Sequence, residues 1–304
     1  MYYMTHNITV GSYTLPLLDK VTIKKSVDTF CNTAVIVVPR TVYNKTINIE
    51  SKLKMYEKVT IKLGYDGKAE TTFKEFEGFL TFISVEESSI TLECEDYAFL
   101  YEDVLEAKQL KNVSPKDILQ HVNNEISGLS GQSLSLSCDS FPDKYESFVI
   151  RKGDTGLKVL KRVQQKTSAE MYMEDNTLHL HSQFSRKSSK AAYNFSRNIE
   201  SADLTYKDEK NTKFMVIVSG TGADGKTISV KKGNRGGEVK SETVGGVITK
   251  EILQNKADEI YKSEVYTGYE GSFNAWLVPY CDAGYGVSIE DSDNEYRKGE
   301  YSLR

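Results

Sequence analysis

One segment of the sequence could bind nucleotide phosphate. Gly220-Thr221-Gly222-Ala223-Asp224-Gly225-Lys226-Thr227 satisfies both the GxxxxGK[ST] and the GxGxxG pattern. Either site needs a strand ending at the glycine loop and a helix starting straight after it, so that the first helical amides point at phosphate. Phe214 to Val218 is a suitable strand, but Ile228-Ser229-Val230-Lys231-Lys232-Gly233 alternates like a second strand and has no helix start. No apolar strand ends in the aspartate that a nucleotide-bound magnesium ion would need. The pattern therefore predicts a β-hairpin with a Gly/Asp turn.

The other chemistry-bearing groups are thinner. His179 and His181 lie two apart and so share one face of a strand, a spacing that metal ligands use. No third histidine or cysteine is near in sequence, which predicts a histidine pair on a hairpin face. Asp291, Asp293 and Glu295 alternate like calcium ligands but lack the glycine and distant glutamate of a calcium loop. They read as a solvated turn. Among Glu93, Glu95 and Asp96 only the first two share a face, so a strand end with exposed acids is expected rather than a glycosidase carboxylate pair. There is no GxSxG and no cysteine–histidine pairing. The sequence thus nominates no catalytic, cofactor-binding or metal-binding residue, and no cofactor.

Bulk properties are those of an ordinary soluble globular chain. The 304 residues are 39% hydrophobic and 27% charged, enough for two or three domains with their own cores. A net charge of -4 predicts no specific nucleic-acid partner. Cys31, Cys94, Cys138 and Cys281 form no CxxC or CxxH pair, so buried free thiols are expected rather than zinc or disulfides. The N-terminus shows no signal peptide, and no run of 18 apolar residues offers a membrane span.

The first hundred residues read as strands: Val21 and Ile23, Ala34 to Val38, Val59 to Leu63, Phe76 to Val85 and Ile90 to Cys94, with Tyr65-Asp66-Gly67 as a turn. Ser114-Pro115-Lys116-Asp117 then starts a helix carrying Ile118, Leu119, Val122 and Ile126, which Gly128 is expected to end. A second helix starts near Asp154-Thr155, and Met171 to Leu180 makes a tight hairpin. Ser185 to Lys190 reads as a polar linker. Strands resume at Leu204, Phe214 and Ile228. A glycine-rich stretch over 231–247 suggests a long mobile hairpin or loop. A helix from Thr249 to Tyr261, with Ile248, Ile252, Ala257 and Ile260 on its face, precedes β-type sequence at Trp276-Leu277-Val278 and Val287-Ser288-Ile289.

Two echoes bear on function. Tyr56 to Ile61 followed by Glu77-Gly78-Phe79 resembles Tyr285 to Ile289 followed by Lys298-Gly299-Glu300-Tyr301, as if one β unit stood at each end of the chain. Phe148 to Thr155 resembles the opening of a LysM peptidoglycan-binding module, but the asparagine-bearing second half is absent. That segment reads as a strand-to-helix junction, and a peptidoglycan-binding tail-tip module is the alternative function.

In chain order, Glu77-Gly78-Phe79-Leu80, Ile90-Thr91-Leu92-Glu93-Cys94-Glu95-Asp96, the Ser-Pro helix from Ser114 to Ile126, the helix and hairpin from Thr155 to Leu180, and Gly284 to Ile289 with Gly299-Glu300-Tyr301 resemble the phage tail baseplate hub proteins of the late control protein D and Mu-type group. The chain departs from that group in stopping soon after the final Gly-x-Tyr strand. The resemblance implies a β-rich α+β chain: a first β-barrel over 1–105, a small α+β domain over 106–190, and a second, similar β-barrel with one helix over 191–304. It implies a homotrimer forming a pseudo-sixfold ring, with tail tube, spike and other baseplate proteins as partners. It also implies a place in the virion tail, assembled in the host cytoplasm.

Overall fold

Strand-forming segments over the first hundred positions, most of them burying alternate residues, build one large antiparallel sheet. The structure, a computed structural model, describes residues 3–42, 45–46, 49–141, 144–167, 169–181, 191–222, 225–234, 236–247 and 249–303. The expected linker over 185–190 and Ile248 lie outside the described residues. Two units divide the chain: Met1–Ser189 with Tyr280–Tyr285 and Ser302–Arg304, and Lys190–Pro279 with Gly286–Tyr301.

In the first unit the leading strands are β1 (Met4–Val10), β2 (Tyr13–Thr14), β3 (Lys20–Lys24), β4 (Thr33–Pro39), the short pair β5 (Thr41–Val42) and β6 (Lys45–Thr46), β7 (Lys58–Tyr65), β8 (Thr72–Val85) and β9 (Ser89–Glu95). Seven of them form a sheet in the order β2-β1-β7-β8-β9-β4-β3. One face buries Ile8, Ile36, Val59, Ile61, Leu80, Ile90 and Leu92 completely, as period-two patterning requires. The pairings end at β2 and β3, with no pairing that closes the sheet into a barrel among the described residues.

The next elements are β10 (Lys108–Val113), α1 (Pro115–Ser130), β11 (Ser135–Cys138), β12 (Tyr145–Ile150), α2 (Gly156–Thr167), β13 (Glu170–Glu174) and β14 (Thr177–His181). Ser114 caps α1 in a full capping box with Asp117, as its sequence predicts. The helix runs past Gly128, however, and ends at Gly131, which takes the left-handed C-cap. Ile118, Leu119, Val122 and Ile126 pack with Val159, Leu160 and Val163 of α2 in a second core. Its buried Asn123 is satisfied: the side-chain oxygen accepts from the Tyr101 hydroxyl, and Nδ2 donates to the Ser135 carbonyl at 2.9 Å. The strands β10 and β11 had no clear sequence signal, whereas the end of β12 is the strand of the junction expected at Phe148 to Thr155.

The second unit holds β15 (Ala191–Asn194), β16 (Ile199–Lys207), β17 (Phe214–Thr221), β18 (Thr227–Gly233), β19 (Glu238–Val247), α3 (Lys250–Glu264), β20 (Gly268–Ala275), β21 (Gly286–Glu290) and β22 (Gly299–Ser302). They form three small sheets, β15-β21-β22, β16-β20 and β18-β17-β19. The expected long mobile hairpin or loop over 231–247 is instead largely strand, with β19 running parallel to β17 and not paired with β18. On α3 the buried stripe is Leu253, Ala257 and Ile260, while Ile252 is exposed. Trp276 to Val278 follow the end of β20 and are not a strand. The fold is β-rich α+β. The two echoed segments also differ in their neighbours: β7 pairs antiparallel with β1, whereas β21 pairs parallel with β15.

Candidate functional site: a histidine-lined cavity in the first unit

Parallel pairing of β11 with β14 sets Ser137 opposite His179, and antiparallel pairing of β13 sets Tyr172 opposite the same residue. Because strand side chains alternate, Ser137, Tyr172, His179 and His181 all rise from one face. The His179 ring stacks on Tyr172 with centroids 4.7 Å apart and planes 4° off parallel. Its Nδ1 lies 3.3 Å from His181 Nε2. Burial, and then the neighbouring His181, pushes the His179 imidazole pKa down to about 4, so this ring is neutral at physiological pH.

His181 is held at both nitrogens. Its Nδ1 is 2.7 Å from Asp139 Oδ1, and its Nε2 is 3.0 Å from Ser137 Oγ. Ser137, His179 and His181 face a cavity of about 360 Å³ whose other walls include Lys25, Glu75, Tyr280 and Asp282. Lys25 Nζ and the Tyr280 hydroxyl both donate to Asp282 Oδ2, at 2.9 and 3.0 Å. Glu75 has its carboxyl pushed up to about 7 by burial, opposed by Lys25 and reinforced by Asp282. Such a cavity can hold and move protons. Among the described residues no group of three or more His, Cys, Asp and Glu is arranged to hold a metal ion.

The structure gives a place to each segment singled out in the sequence. Strands β17 and β18 pair up to Thr221↔Thr227, and Gly222 N donates to Lys226 O at 2.8 Å, so the phosphate-loop pattern is a hairpin turn. Its Ala223 and Asp224 lie outside the described residues. The histidines share a face as expected, but they contact Ser137, Asp139 and Tyr172, none of which the sequence had marked. Asp291 is buried rather than solvated, accepting from the Asp293 and Asn294 amides at 3.0 Å each. Glu93 is exposed at the strand end and Glu95 half-buried. The segment from Phe148 to Thr155 is a strand-to-helix junction: Asp154 accepts from the Arg151 amide at 2.8 Å and from Arg162 at 2.6 Å. Of the four cysteines only Cys94 is buried, as expected; the other three are half-buried.

No protein-family model matches the sequence, and neither does any curated protein. Solved structures do. A tail protein from Neisseria meningitidis MC58 superposes with a TM-score of 0.64 at 14% identity, over 99% of this chain and 90% of that one. The 43 kDa tail protein of prophage MuSo2 from Shewanella oneidensis gives 0.63 at 12% identity, over 94% and 89%. An Escherichia coli component of the type VI secretion system, described as structurally similar to the T4 tail proteins gp27 and gp5, gives 0.53 at 10%, over 97% and 66%. This chain has the fold of phage tail proteins.

Within this tail-protein fold, the segments that carried the sequence resemblance have structural work. Gly78 is where β8 passes close to the end of β9. Asp96, immediately after β9, caps the 3-10 turn Tyr97–Glu102 by accepting from the Ala98 amide at 2.9 Å, and it also accepts from the Asn32 amide at 3.0 Å. Burial pushes the Asp96 carboxyl up to about 6 against those hydrogen bonds.

Proposed function

We propose that the chain is a structural baseplate hub of a phage-type tail: a homotrimer forming a pseudo-sixfold ring that joins the tail tube to the spike. The observation that carries this reading is similarity over nearly the whole length to two tail proteins, 99% and 94% of the chain. The ordered resemblance of the sequence to hub proteins supports it independently. In this reading residues 1–105 and 191–304 supply two equivalent ring-forming β units, each closing as a barrel in the assembly, and 106–190 an α+β insert. Its partners are further copies of itself, the tube, the spike and other baseplate proteins, and its place is the virion tail. Ring contacts of this kind need self-complementary faces and free strand edges. The large sheet offers edges at β2 and β3, and its outer face exposes Phe82 and Val85.

The test is the mass of the purified chain in solution, with particles imaged from the same sample. The expected result is a trimer of three 34.3 kDa chains, seen as a ring with an open centre. A monomer that stays monomeric with tube and spike present, and pellets with purified peptidoglycan, would overturn the hub reading in favour of a wall-binding module.

A further inference from the structure

Ser137, His181 and Asp139 stand in the order of a nucleophile, its base and the carboxylate that orients the base. Ser137 Oγ is 3.0 Å from His181 Nε2, and His181 Nδ1 is 2.7 Å from Asp139 Oδ1. Both distances are those of made hydrogen bonds. An ionised carboxylate only accepts, so the proton of the neutral ring sits on Nδ1 and Nε2 is left to accept from the Ser137 hydroxyl. Serine and aspartate are two apart on β11 and its continuation, and they bracket one ring on the neighbouring strand. Ser137 and His181 line the cavity, whereas Asp139 is not among its lining residues, so the carboxylate orients the ring without competing for a ligand.

We propose that Ser137 is an activated nucleophile that takes an acyl group from small neutral esters entering this cavity. The triad is recognised by geometry and roles, not by chain order or fold. The Ser137 oxygen bonds to the ester carbonyl carbon while its proton passes to His181 Nε2. The carbon–oxygen bond to the alcohol then breaks, and the alkoxide leaves with that proton. Water, deprotonated by the same nitrogen, releases the acid and restores the serine hydroxyl. The imidazolium formed midway is stabilised by Asp139, and His179 Nδ1, 3.3 Å from Nε2 on a ring that stays neutral, can accept from it. Substrate charge follows from the walls. Glu77, Glu174, Asp175 and Asp282 outnumber Lys25 and Lys74, so an anionic ester is repelled.

The full-length protein is treated with a fluorophosphonate probe and the adduct is mapped by peptide mass spectrometry, with hydrolysis of p-nitrophenyl acetate followed in parallel. The expected adduct is on Ser137 alone. Ser137→Ala abolishes labelling, and Asp139→Asn slows both reactions by roughly a hundredfold, since general-base assistance is worth about 10²–10⁴. An unchanged thermal melt for each variant separates lost chemistry from lost folding. No adduct on Ser137 in the wild-type protein, or labelling that Asp139→Asn leaves at full rate, overturns the proposal. Equal hydrolysis of p-nitrophenyl hemisuccinate overturns the assignment of a neutral substrate. None of these outcomes depends on whether the chain assembles as a hub.

Discussion

Gly78 lies so close to Glu95 that a Cβ placed on it would meet the Glu95 carbonyl oxygen at 2.1 Å. The contact is with backbone, Gly78 is paired with Val59 of β7, and the next residue, Phe79, is paired with Glu95 itself, so the neighbour has little room to yield. Gly78→Ala is expected to cost more than about 2 kcal/mol, as backbone strain at such sites does. Urea unfolding would show it as a lowered midpoint, and an unchanged midpoint would mean that β8 and β9 can separate there.

The glycine at position 128 is the opposite case. It sits inside α1 with nothing within 4 Å of an added Cβ, two residues before the helix ends. Gly128→Ala should therefore stabilise the protein by about 0.5–1 kcal/mol through helix propensity. A loss of stability would show that the helix breaks at Gly128 in solution, as its sequence first suggests.

Helix α3 makes a sharper contrast between adjacent positions. Leu253 is fully buried against Val216 and Val218, whereas its neighbour Ile252 is exposed. Leu253→Ala is expected to cost about 2–5 kcal/mol and Ile252→Ala no more than about 0.5. Thermal unfolding of the two variants checks the ordering, and a large loss at Ile252 would mean that its face is covered in solution.

Cavity protonation gives a pH signature. Glu75 keeps its proton up to about pH 7 in the folded chain, against 4.5 for the ordinary group. Between those values the native state binds more protons than the unfolded state, so this group makes stability fall as pH rises. His179 acts in the other direction: its native value of about 4 lies below 6.5, so it makes stability rise with pH across that interval. Replacing Glu75 by glutamine removes only the first contribution. Relative to wild type, Glu75→Gln should gain stability progressively from about pH 4.5 to 7, and the difference should be constant above and below. Chemical unfolding of both proteins near pH 4, 5.5 and 8 measures this, and a pH-independent difference would show that the Glu75 carboxyl ionises normally.

Several elements were legible because the interactions that make them are local. The start of α1 rests on Ser114 and Asp117, three residues apart, and the hairpin from Glu170 to His181 on alternation around Glu174-Asp175-Asn176. The absence of a phosphate loop at Gly220 to Thr227 could be read from the strand-like residues after it, and the structure has that hairpin. Errors came where a local signal had a longer-range competitor. The glycines at 233 and 237 look like a flexible loop. They are instead where the chain passes the backbone of Lys213 and Phe214, with the Lys213 oxygen 1.7 Å from where a Cβ on Gly237 would be. Ile252 fits a helical stripe as well as Leu253 does, and only the position of the sheet beneath α3 selects between them.

Residue order and spacing were thus enough for the strands of the large sheet, the N-cap of α1, the hairpin turns and the ordered resemblance to tail proteins, because hydrogen bonds and turn conformations are chosen within a few residues. The cavity was not available at that level. Ser137 and Asp139 reach His181 from 44 and 42 residues away, and Lys25 reaches Asp282 across 257. Those meetings depend on strand register and on the packing of elements with no sequence signal of their own. The proton affinities of Glu75 and His179 follow from the burial that this packing creates, since removal from water, not residue type, disfavours their charged forms.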